Sequence, residues 1–124
     1  MKTVLIIDAD FGFVFWLGQV LGDAGWQAVP AKGFSEATAL ISQLRMEIDL
    51  LVVNPILTGA ADFVHALRCS QPNLKVLVVL EKEQQVGPIQ NADAIVRKPL
   101  QVDRVAGALW TRIIEQILIR HFVA

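Results

Sequence analysis

The sequence predicts a parallel α/β sheet of five strands, wound on both faces by helices. Three observations carry that prediction. Short apolar runs rich in Val, Ile and Leu alternate five times with longer stretches of helical periodicity. The runs are apolar throughout, as expected of strands buried on both faces. The first four begin about 23 to 26 residues apart, room for a strand, a helix and two short loops.

Taken in order, Thr3 to Ile7 is the first strand, and Asp10 caps a helix over Phe11 to Ala24 that Gly25 stops. Phe13, Trp16, Leu17, Val20, Leu21 and Ala24 form its core stripe. Trp26 to Val29 is the second strand, with Pro30 suited to an edge. Ser35 caps a helix whose apolar face is Ala37, Leu40, Ile41 and Leu44. Leu50 to Val53 is the third strand, Ala61 to Cys69 the third helix and Lys75 to Leu80 the fourth strand. The connection 81–93 contains Gly87-Pro88, so the fourth helix is expected to be short or irregular. Ala94 to Arg97 is the fifth strand. A long last helix begins near Val102, with Val102, Val105, Ala106, Leu109, Ile113 and Ile117 on one face and Trp110, Ile114 and Leu118 widening it.

The totals exclude several functions. In 124 residues, 54% hydrophobic, there is material for one domain, 1–124, with its own core. A formal charge of -1 with scattered Lys and Arg argues against a nucleic-acid surface. Cys69 is alone, and His65 and His121 have no metal-binding context, so neither a disulfide framework nor a zinc site is expected. The five residues between Lys2 and Asp8 are too few for a signal peptide or span, and Arg104, Arg112, Glu115 and Arg120 exclude a membrane helix at the end. A cytoplasmic location is the expectation.

Three motifs in this order and spacing resemble the receiver domains of response regulators in two-component signalling. They are Leu-Ile-Ile-Asp-Ala-Asp at the first strand, Asp-Leu-Leu-Val-Val-Asn-Pro-Ile-Leu-Thr-Gly at the third and Val-Arg-Lys-Pro-Leu at the fifth. The resemblance covers essentially the whole chain. It implies a flavodoxin-like fold with strand order 2-1-3-4-5, and a cis Lys98-Pro99 bond that aims the lysine into the crevice. It also implies phosphorylation of an aspartate at the end of the third strand, assisted by magnesium on acidic residues, a lysine, and a switch hydroxyl at the end of the fourth.

Residue by residue, this chain departs from that pattern. Asn54 stands at the acceptor position, Ala9 replaces the second acidic residue, Leu80 replaces the switch hydroxyl, and Ile95 stands where an aromatic residue reports the switch. Asp8 and Lys98 remain. An amide forms no acyl phosphate, and Asp8 with Asn54 offers magnesium at most a weak site, so no cofactor and no catalysis are expected. Lys98 is expected to pair with Asp8 or with the Asn54 amide.

Apolar surplus on the first and last helices suggests binding instead. Phe11, Val14, Phe15, Gly18 and Gly22 on the first helix, with Trp110, Ile114 and Leu118 on the last, are the expected surface for a protein partner or a homodimer. The reading is therefore a non-phosphorylated pseudo-receiver that acts by protein interaction. The alternatives are a working phosphoacceptor served by a histidine kinase, and a small-ligand binder in the crevice above Asp8, Asn54 and Lys98. The last lacks a glycine-rich phosphate loop after the first strand.

Overall fold

The computed structural model describes residues 2–87, 89 and 91–119. Its elements are β1 (Thr3–Ile7), α1 (Phe11–Asp23), β2 (Gln27–Ala31), α2 (Phe34–Leu44), β3 (Leu50–Val53), α3 (Ala60–Ser70), β4 (Lys75–Leu80), β5 (Ala94–Arg97) and α4 (Arg104–Ile119). The strands form one parallel sheet in the order β2-β1-β3-β4-β5, the flavodoxin-like arrangement expected.

Every residue of β1 and β3 is buried, as the apolar runs require of central strands with helices on both sides. Alternate side chains serve opposite layers. Leu5, Ile7, Leu51, Val53, Val76, Val78 and Leu80 pack with Ala37 of α2 and Ala60, Val64 and Leu67 of α3. Val4, Ile6, Leu50, Val52, Leu77 and Val79 pack with Phe13, Val14, Leu17 and Leu21 of α1 and Trp110, Ile114, Ile117 and Leu118 of α4. Phe13, Trp16 and Trp110 meet in that second layer with centroids 5.5 to 6.3 Å apart. Full burial of one such side chain contributes roughly 1.5–3 kcal/mol.

Several expectations are corrected. The second strand is shifted to Gln27–Ala31 and contains Pro30, which lies opposite Ile6. Its edge position accommodates the missing N–H. Ser35 does not cap α2: the helix starts at Phe34, after Gly33, with no side-chain cap. Among the described residues no helix separates β4 from β5; a turn at Lys82–Glu83 and irregular chain replace it. Pro88 of that connection, and the segment 120–124 with His121, lie outside the described residues. The Lys98–Pro99 peptide is trans, not cis. Asp10 caps α1 as expected, accepting from the Phe13 N–H at 3.2 Å.

The largest correction concerns the helix surfaces. Val14, Trp110, Ile114 and Leu118, expected at an interaction surface, are between 0% and 5% exposed and belong to the core. On α4 the sheet receives Trp110, Ile114 and Leu118 together with Ile117 of the expected face. Val105 and Leu109 of that face are exposed, as is Val102 just before the helix. On α1, Phe11 and Phe15 are exposed, Gly22 is exposed, and Gly18 is half-buried beside Ala28.

Candidate functional site

In a parallel sheet the carboxyl ends of the strands open onto one rim, where loops from several strands converge. The main chain carries the site residues there: the Asn54 N–H continues the β1 ladder by donating to the Ile7 carbonyl (3.3 Å), and the Lys98 N–H donates to the Leu80 carbonyl (2.8 Å). Asp8, Asn54 and Lys98 are thereby brought together, as the resemblance to receiver domains implied. Asp8 and Asn54 are both buried polar residues, at 3% and 1% exposed.

Each atom of the Asn54 amide has a partner. Its Oδ1 accepts from the Ile56 N–H at 3.0 Å, the first amide available after Pro55. Its Nδ2 donates to Asp8 Oδ2 at 3.4 Å and to Glu81 Oε1 at 3.3 Å. Asp8 Oδ1 accepts from the Asp10 N–H at 2.9 Å. No buried side-chain polar atom among the described residues is left unpartnered.

Lys98 Nζ is the hub. It lies 2.6 Å from Glu81 Oε1, 3.0 Å from Asp8 Oδ2 and 3.4 Å from Asp10 Oδ2, and 4.8 Å from the centre of the Phe13 ring. Burial works against the ammonium. Hydrogen bonds to Glu81 and Asp8, and the charges of both, outweigh it and raise the lysine pKa above its ordinary value. Asp10 is held below the usual carboxylate value first by the Phe13 N–H. The charge of Lys98 adds to this, against a partial burial penalty. One ammonium faces three carboxylates, so the cluster keeps a net negative charge.

The remaining candidate positions are not part of this network. Ala9 is exposed at the rim, Leu80 is 1% exposed in the α2–α3 layer, and Ile95 is 48% exposed on β5. Sequence reasoning missed Glu81, whose carboxylate is Lys98's nearest partner. Its one signal was an acidic residue directly after the apolar run of β4.

No protein-family model matches the chain. A response regulator receiver protein of Anaeromyxobacter sp. (strain Fw109-5) is 29% identical over 113 residues, which cover 85% of this chain and 46% of that protein. The chain thus spans about half the length of that relative. The solved structure of the chemotaxis protein CheY4 of Vibrio cholerae superposes with a TM-score of 0.74 at 18% identity, covering 95% of this chain and 99% of that one. The fold is that of response-regulator receiver domains. A second receiver fold, the response regulator TrrA of Thermotoga maritima in complex with Mg2+ and BeF, gives a TM-score of 0.67 at 17% identity, with 90% of this chain and 98% of that one covered.

The receiver fold raises the question of magnesium, and the donor set here does not suit it. Ala9 contributes no oxygen, Asn54 turns its donor Nδ2 toward Asp8, and Lys98 already occupies Asp8 and Glu81. Among the described residues no group of three or more His, Cys, Asp or Glu side chains is arranged to hold a metal ion.

Proposed function

We propose that the chain is a receiver-type signalling domain, 1–124, that carries no phosphoryl group and acts by binding a protein partner or a second copy of itself. One observation supports this most: the residue at the acceptor position is an amide whose Nδ2 donates to Asp8 and Glu81. The nitrogen lone pair of an amide is delocalised into its carbonyl and the group carries no charge, which makes it a poor nucleophile toward phosphorus. Leu80, buried in an apolar layer, offers no hydroxyl to a phosphoryl group, and Ile95 replaces the aromatic reporter. The chain performs no catalysis in this reading, and magnesium has no role in it.

The binding surface proposed for the partner is narrower than the sequence suggested. Phe11 and Phe15, at 50% and 70% exposed, remain candidates on α1, with Gly18 and Gly22 continuing their row. The decisive experiment is incubation of the purified chain with acetyl phosphate and magnesium, followed by intact-mass measurement. An unmodified mass is expected. A phosphoryl adduct at any stoichiometric level would establish a working phosphoacceptor instead.

A further inference from the structure

The loop that leaves β4 is tied down at three points. At its start, Glu81 Oε1 accepts from Lys98 Nζ at 2.6 Å and from Asn54 Nδ2 at 3.3 Å. Along its length the Arg97 guanidinium, through Nη1, donates to the carbonyls of Glu81 (2.8 Å), Lys82 (3.2 Å) and Gln84 (2.7 Å). At its far side Gly87 lies so close to Pro55 that a Cβ there would stand 2.9 Å from the proline Cβ. The loop's own turn is closed by the Gln84 N–H donating to the Glu81 carbonyl, and by Gln84 Oε1 accepting from the Glu81 N–H at 3.0 Å.

These contacts join elements that nothing in the local sequence obliges to meet. Glu81 belongs to the end of β4, Arg97 and Lys98 to the end of β5, and Asn54 and Pro55 to the end of β3. The Glu81 carboxylate rests on both the lysine and the amide, against Asn54 Nδ2. We propose that Glu81 and Arg97 form a latch that holds the loop 81–87 shut over Asn54, so that the chain supplies internally the anion that keeps this loop in one conformation. Arg97 fixes the backbone of the loop, and Glu81 fixes it to the site. The loop and the adjoining edge strand β5 are then presented to a partner in a single, signal-independent shape. The inference rests on the reading that Asn54 carries no phosphoryl group.

The test is hydrogen–deuterium exchange of the full chain, wild type against Glu81→Ala and Arg97→Ala, with thermal melting to establish that each variant is folded. Glu81 is about half-exposed, and Arg97 lies on the surface, so both variants are expected to fold. Amides of 82–87 are expected to exchange on the order of tenfold faster in either variant, the effect of losing a charge-assisted hydrogen bond discounted for solvent. Amides of α2 and α3 should be unchanged. Glu81→Gln keeps an acceptor but not the charge, and an intermediate rate is expected; it also serves if the alanine variant does not fold. Wild-type rates for 82–87 in the folded variants would overturn the latch. Its failure is distinct from that of the functional reading, which would show as a phosphoryl adduct on the wild-type chain.

Discussion

The ends of β3 and β4 lie side by side on the same rim, and they are built in opposite ways. At the end of β3 a buried position carries an uncharged amide, with Oδ1 used locally and Nδ2 turned inward to Asp8 and Glu81. At the end of β4 the buried position is wholly apolar, Leu80, and the next residue outward, Glu81, carries the charge. A negative group therefore faces Lys98 from the half-exposed side of the site, and none does so from residue 54. Lys98 draws its partners from the end of β1, the start of α1 and the end of β4.

The largest effect is expected at the lysine. Lys98→Met removes the cation from Asp8, a residue only 3% exposed, and a loss of roughly 3–5 kcal/mol is expected in urea unfolding, as for a buried pair deprived of one partner. Leu80→Thr returns a hydroxyl to the end of β4 but places it in the α2–α3 layer, where lost packing and an unpaired polar group should cost about 2–4 kcal/mol. Asn54→Asp replaces the donor facing Asp8 and Glu81 by an acceptor, and roughly 1–3 kcal/mol should be lost without divalent cations. Magnesium should restore part of that loss in this variant and leave the wild type unchanged, which a melting experiment with and without the ion would show.

The smallest effect is that of pH, and its two arms have different signs. The Asp10 pKa is lowered on folding, so its contribution is complete above the ordinary value of 3.8 and is lost as pH falls through the folded value. The Lys98 pKa is raised, so its contribution is complete below the ordinary value of 10.5 and is lost as pH rises through the folded value. Unfolding free energy measured across the pH range should accordingly be flat between these limits with respect to this pair of groups. Lys98→Met should abolish the alkaline arm.

Much of the fold was legible because buried parallel strands announce themselves as continuous apolar runs. β1, β3 and β4 coincide with Thr3–Ile7, Leu50–Val53 and Lys75–Leu80, and the half-exposed edge strand β5 with Ala94–Arg97. β2 was harder because Pro30, which lacks a ladder N–H, looked like its end when it lies within it. The pairing of Asp8 with Lys98 was also legible, since both stand at strand ends. The helix faces were not. With apolar residues around half of α4, periodicity defines two stripes and cannot choose between them. The tertiary packing makes the choice, burying Trp110, Ile114, Ile117 and Leu118 against the sheet. Glu81 and Arg97 were invisible for a different reason: their roles come from the meeting of two strand ends 16 residues apart, with no motif to mark it.

Asn54, hydrogen-bonded to Asp8 and Glu81, is expected not to respond to phosphoryl chemistry. The most direct measurement is a two-dimensional NMR titration of the wild-type chain with magnesium and beryllofluoride, following the Asn54 side-chain amide and the backbone amides of 81–87. The expected spectra remain unchanged at saturating concentrations. A saturable shift at Asn54 accompanied by movement of the loop amides would contradict the account.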